Sequence, residues 1–139
     1  MKIYISNTVE DTHNIAKEIV DSLSTNIIIL NGELGAGKTE FTKGIAKALN
    51  IEKNITSPTF TILKSYISKN KNLHHFDCYR FIDKIDINLK SLGIEELVDD
   101  NNNLIVLEWA DGSKFLKEYK PLIINIEIVE DEKRKILVE

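Results

Sequence analysis

Asn26-Ile27-Ile28-Ile29-Leu30-Asn31 runs directly into Gly32-Glu33-Leu34-Gly35-Ala36-Gly37-Lys38-Thr39, and Phe41, Ile45, Ala48 and Leu49 follow at helical spacing. The short apolar, β-branched run reads as a buried strand. The next residues spell G-x-x-x-x-G-K-[ST], the pattern of a phosphate-binding loop when a strand precedes it and a helix follows. Gly32, Gly35 and Gly37 can adopt positive φ and bring bare backbone close to a ligand. Successive N–H groups then face one concavity at a helix start, where the dipole favours an anion. Lys38 adds a cation for β- and γ-phosphates, and the Thr39 hydroxyl is a Mg²⁺ ligand type. Leu34 and Ala36 complete the loop. The competing reading is a glycine-rich turn with no ligand; the flanking strand and helix argue against it. The expected class is therefore α/β.

At 139 residues with a net charge of −4, the chain is expected to form one domain over 1–139 with a sizeable core. No apolar run approaches the length of a membrane span, and the N-terminus shows no signal-peptide pattern. The single cysteine, Cys78, excludes an internal disulfide and fits a reducing, cytoplasmic setting. The acidic balance argues against nucleic-acid backbone binding as the main task, although a local basic face is compatible with it. Only two arginines, Arg80 and Arg134, stand among eighteen basic residues.

Outside the loop, Lys2–Ser6 reads as a strand. Thr8 and Asp11 form a capping-box-like start to a helix whose apolar face is Thr12, Ile15, Ala16, Ile19, Val20 and Leu23. His13 falls off that face and is expected in solvent. Thr61–Ser68 and Leu73–Asp77 read as a hairpin. His74 and His75 are adjacent on a strand and point to opposite faces, so one is expected buried and one exposed. Cys78 reads as a small buried hydrophobe. Residues 83–100 read as mostly helical, with Ile85, Leu89 and Leu92 sharing a face and Gly93 ending a helix. Leu104-Ile105-Val106-Leu107 reads as a strand covered on both faces, hence central and parallel. Phe115, Leu116 and Tyr119 suggest a short helix stopped by Pro121. Residues 122–129 and 133–138 pair as a terminal hairpin.

Two acids stand where strands end, Asp77 and Glu108. Ligands of open α/β sheets collect beyond the carboxyl ends of parallel strands, which is also where Leu30 delivers the loop. Both acids are expected to converge on a cation held by Thr39, or to orient a water toward a γ-phosphate. The plain alternative for each is an acid capping a strand. Ser57-Pro58-Thr59-Phe60 reads from composition as an ordinary loop entering a strand, and from its hydroxyls as a mobile segment facing phosphate. Trp109 reads equally as a base-stacking or pocket-covering residue and as a core residue. Arg80 is the only arginine near the expected site, so slow hydrolysis completed by a partner is anticipated. No N-K-x-D tetrad supports guanine.

Four segments together, Gly32–Thr39, Ser57-Pro58-Thr59-Phe60, His75-Phe76-Asp77-Cys78-Tyr79-Arg80 and Glu108-Trp109, resemble the TsaE (formerly YjeE) family across essentially the whole chain. The resemblance implies a P-loop NTPase-type three-layer sandwich with a mixed, mainly parallel central sheet and a C-terminal antiparallel hairpin. It implies ATP and Mg²⁺ as ligands, a low intrinsic ATPase rate, and dependence on TsaB and TsaD, which place threonylcarbamoyl on adenosine 37 of tRNA. Contact with tRNA would then be indirect, and oligomeric state is left open. By the same resemblance Thr39 and Glu108 would hold Mg²⁺, Asp77 would serve metal or water, and Lys38 would act on the phosphates. Ser57–Phe60 would be a switch. Trp109, Ala110 and Asp111 would lie by the nucleotide, with Thr12 near the base. Ala110 stands where many members carry proline, and Glu40 where threonine is common. The alternatives are a P-loop small-molecule kinase and a non-catalytic, nucleotide-controlled interaction module.

Overall fold

The computed structural model describes residues 1–139. The strands are β1 (Lys2–Ser6), β2 (Ile27–Gly32), β3 (Leu63–Tyr66), β4 (Asn72–Asp77), β5 (Asn103–Glu108), β6 (Leu122–Glu130) and β7 (Lys133–Val138). The helices are α1 (Val9–Asp21), α2 (Lys38–Ala48), α3 (Ile85–Ser91), α4 (Ile94–Val98) and α5 (Lys114–Lys117), with a 3₁₀ segment at Tyr79–Lys84. All seven strands join one sheet in the order β1-β7-β6-β2-β5-β4-β3. β6, β2, β5 and β4 run parallel to their neighbours, whereas β7 and β3 are antiparallel to theirs. β1 is antiparallel to β7 and so points the same way as the parallel core. The sheet is therefore mixed and mainly parallel, with the expected C-terminal hairpin.

Helices cover both faces. On one, α1 and α2 bury Ala16, Ile19, Phe41 and Ile45 against Ile28, Leu30, Leu104 and Val106. On the other, α3, α4 and α5 bury Ile85, Leu89, Ile94 and Leu116 against Ile27, Ile29, Ile105 and Leu107. β2 and β5 are apolar on both sides because both sides are covered. α1 starts as its sequence predicts: Thr8 Oγ1 accepts from Asp11 N at 3.0 Å, and Asp11 Oδ2 accepts from Asn7 N at 2.9 Å. The cap is thus not fully reciprocal, since the returning bond goes to the residue before it. α1 and α2 approach closely at Gly44, where a Cβ would lie 2.7 Å from both Ala16 Cβ and His13 Cα.

Four local expectations change. His13 is not in solvent: it is half-buried against α2, with Nδ1 2.9 Å from Lys47 Nζ and Nε2 3.4 Å from Glu40 Oε1. Both His74 and His75 are buried, because β4 lies inside the sheet and both its faces are covered. The third strand is shorter than expected, since Ile62 turns at φ +68° and only Leu63–Tyr66 pair. Leu92 is exposed rather than part of the α3 face, since it caps that helix instead of extending it.

Candidate phosphate site

The loop between β2 and α2 has the backbone its glycines allow. Gly35 (φ +82°) and Gly37 (φ +106°) are left-handed, and neither would meet an obstacle if given a Cβ, so the requirement there is conformational. Gly32 differs: a Cβ would lie 3.0 Å from the Ile126 carbonyl oxygen and 3.1 Å from Ala36 Cβ, so the requirement there is space. Gly37 caps α2 with no side-chain hydrogen bond, leaving the first N–H groups of an eleven-residue helix for an anion.

Around this helix start lies a cavity of about 760 Å³. Lys38, Thr39, Asp77 and Glu108 line it, and so do Ser57 and Thr59 from the loop after Ile55. The register explains the convergence. β2 and β4 flank β5 in parallel, with Leu30 opposite Glu108 and Glu108 opposite Asp77. Both acids therefore reach the same sheet edge as the loop. Asp77 is tied down by Tyr79 N, which donates to Oδ1 at 3.0 Å. The Ser57 and Thr59 hydroxyls are 2.7 Å apart. Both hydroxyl residues line the cavity beside Thr39. Phe60 is exposed, and Pro58 accepts from Thr61 N and Ile62 N to close the turn.

Glu108 is buried and held from two sides. Lys38 Nζ lies 3.3 Å from Oε1, and His75 Nε2 lies 2.6 Å from Oε2. Burial alone would push the Glu108 carboxyl up; the His75 hydrogen bond and charge, with Lys38, outweigh it and hold the group below the usual carboxylate range. His75 was missing from the sequence-derived site residues. It opens the His75–Arg80 segment that carries the resemblance, but its role is not readable there, because its partner lies on another strand, 33 residues away. Cys78 behaves as expected: it is fully buried, and burial, then the Asp77 and Glu108 charges, push its thiol up to about 12.

Trp109 is not a core residue. It is 39% exposed and sits at φ +61°, an uncommon conformation for a bulky side chain. Its ring lies 4.9 Å from Lys38 Nζ and meets Tyr79 edge-on at 5.1 Å. The next residues hold this turn. Ala110 is fully buried, and Asp111 Oδ1 accepts from Asn31 Nδ2 at 2.9 Å. Trp109 and Asp111 also line a second cavity of about 350 Å³ beside Gly32 and Lys38. Leu34 is exposed at the loop tip and Ala36 is buried beneath it. Thr12 lies apart from these cavities, its hydroxyl 2.7 Å from that of buried Ser6.

The arginine at the loop is not Arg80, which is exposed and lines neither cavity. It is Arg134, on β7, whose Nε donates to the Ala36 carbonyl at 2.9 Å and whose Nη2 donates to that of Gly35 at 3.3 Å. Arg134 thus braces the Gly35 and Ala36 carbonyls of the loop.

The donor set fits a magnesium–phosphate ligand. A hydroxyl and two carboxylates are hard oxygen donors of the kind Mg²⁺ prefers, and Mg²⁺ habitually takes only one or two protein carboxylates beside phosphate oxygens and water. No group of three or more His, Cys, Asp or Glu converges to cage a metal unaided.

A glycine nest at a helix start, faced by a lysine, a hydroxyl and two strand-end acids, defines a phosphate-loop protein of the α/β class. Residues 6–136 match the family model described as threonylcarbamoyl adenosine biosynthesis protein TsaE. The chain belongs to the TsaE family. It is 40% identical over 132 residues to the tRNA threonylcarbamoyladenosine biosynthesis protein TsaE of Rickettsia felis, covering 94% of this chain and 75% of that one. The protein of that name from Aquifex aeolicus is 33% identical, covering 99% and 96%. The crystal structure of Bacillus subtilis YdiB superposes with a TM-score of 0.72 at 31% identity, covering 97% of this chain and 82% of that one.

Proposed function

We propose that this chain binds Mg²⁺·ATP and hydrolyses it slowly, in support of N6-threonylcarbamoyladenosine formation at position 37 of tRNA. One observation carries the reading: Lys38, Thr39, Asp77 and Glu108 meet in one cavity at the start of α2. In this reading the Gly35–Thr39 peptides and Lys38 grip the β- and γ-phosphates. Thr39 and Glu108 would hold Mg²⁺, which supplies charge neutralisation on the phosphate oxygens. Asp77 would orient the attacking water or a metal-bound one, and Ser57–Phe60 would close over the γ-phosphate. Trp109 and Asp111 would border the nucleotide.

No arginine of this chain lines the cavity, so the site lacks the cation that usually speeds phosphoryl transfer by on the order of 10³–10⁵. This supports a slow intrinsic rate that a partner raises. TsaB and TsaD are the proposed partners, in the cytoplasm, with tRNA bound through them. The names of the relatives support the pathway.

The test is reconstituted tRNA modification over many turnovers, with TsaB and TsaD, with and without this protein and with Lys38→Ala. Sustained turnover only with the wild-type chain is expected. Equal turnover with Lys38→Ala would sink the site assignment. ATP consumption unchanged across a titration of TsaB–TsaD would sink the partner dependence.

A further inference from the structure

His75 is completely buried. Its Nε2 has one partner, Oε2 of Glu108 at 2.6 Å, and its Nδ1 has none. An ionised carboxylate only accepts, so the shared proton belongs to Nε2. The ring's Nδ1 is buried with no partner, which costs desolvation free energy. Leucine or phenylalanine would fill the same space between Leu73 and Asp77 without that cost. What an apolar side chain would lack is the Nε2–H donor.

The placement of that donor is specific. Leu73, His75 and Asp77 share the face of β4 covered by α2, and Leu104, Val106 and Glu108 share the same face of β5. His75 stands opposite Val106, one pleat short of Glu108, so its ring reaches forward to Oε2. Lys38 takes Oε1. The two donors differ in permanence. Lys38 is a flexible side chain that lines the cavity, and a bound phosphate competes for it. His75 is enclosed on an internal strand and keeps its one partner.

We propose that His75 is a positioning residue: it pins Oε2 of Glu108 so that Oε1 is presented to the divalent cation that arrives with a nucleotide. The inference rests on the Mg²⁺·ATP reading. Outer partners of metal-binding carboxylates and histidines commonly contribute about 10- to 100-fold in metal affinity, and His75 acts in that range.

Electron paramagnetic resonance of Mn²⁺, with a non-hydrolysable ATP analogue and the full chain, measures the effect directly; metal-free analogue affinity is measured in parallel. Gln places an amide nitrogen near the position of Nε2, whereas Asn places it near Nδ1. His75→Gln is expected to hold Mn²⁺ close to wild type. His75→Asn and His75→Leu are expected to lose about 10- to 100-fold, with metal-free affinity unchanged in all three. Wild-type Mn²⁺ affinity in His75→Leu would overturn the proposal, as would equal losses in the Gln and Asn variants. The Gln–Asn pair decides the matter if the Leu variant does not fold. Wild-type protein that binds the analogue but no Mn²⁺ would instead overturn the metal reading, and this inference with it.

Discussion

Lys38 Nζ lies 3.3 Å from Oε1 of Glu108, so the cation of the phosphate loop is neutralised by the acid at the end of the adjacent strand. A ligand phosphate must draw Lys38 from that carboxylate and from the Trp109 ring above it. Lys38→Met removes the charge while keeping much of the stem. Charge-assisted hydrogen bonds contribute about 1.5–3 kcal/mol, so nucleotide affinity should fall roughly 10- to 100-fold. Isothermal calorimetry of wild type and variant with ATP checks this. An unchanged affinity would mean that Lys38 stays on Glu108 in the complex.

Arg134 braces the loop from β7 through two carbonyls. Lysine has no rigid fork to reach both. Arg134→Lys should keep the fold and weaken nucleotide binding by roughly tenfold, the worth of about one charge-assisted bond. Binding as tight as wild type in a well-folded Arg134→Lys protein would show that the loop holds its shape without the brace.

Gly44 lets α1 and α2 touch. A Cβ there would meet Ala16 Cβ and the His13 backbone at 2.7–2.8 Å. Ala is favoured over Gly by about 1 kcal/mol in a helix interior, but overpacking costs about 1–3 kcal/mol, and here the obstacle includes backbone. Gly44→Ala should therefore lower the melting temperature by a few degrees. A variant as stable as wild type would mean that the helices part at little cost.

Asp86 ties α3 to the start of α5. Its Oδ1 accepts from Ser113 Oγ at 2.5 Å, and its Oδ2 from Lys114 N and Phe115 N at 3.1 and 3.3 Å. Burial would raise its carboxyl, but these donors and Lys90 bring it below the usual range. A depressed folded-state value means the stabilisation is present above the unfolded value, about 3.9, and is lost as pH falls through the folded one. Asp86→Asn replaces one accepting oxygen by a donor and should be less stable than wild type at pH 7, by under about 1 kcal/mol because the contact is solvent-screened. The two melting curves should converge as pH falls below the usual carboxylate range. A gap constant with pH would show that shape rather than charge holds the contact.

The local patterns were readable without any fold. Thr8 as a helix cap, Gly93 as a helix stop, Leu104–Leu107 as a strand covered on both faces, and Gly32–Thr39 as a phosphate loop each depend on neighbours in the chain. Asp77 and Glu108 are legible as strand-end acids because each closes a short run that reads as a strand. His13 and His74/His75 were misjudged for a shared reason. Periodicity gives the face a side chain occupies but not whether another element covers that face, and here α2 covers one and β4 lies inside the sheet.

The loop pattern and the class of fold follow from residue types at fixed local spacing and need no tertiary information. Four relationships were decided only by tertiary structure: His75 to Glu108, Lys38 to Glu108, Arg134 to the Gly35 and Ala36 carbonyls, and Trp109 to Lys38. Each joins residues far apart in sequence. In each the distance is set by strand order and register, which bring the ends of β2, β4 and β5 to one edge and fold β7 back toward the loop. Side-chain geometry of that kind has no signature in a local pattern, because the free energy that selects it comes from packing the whole sheet between its two helical layers.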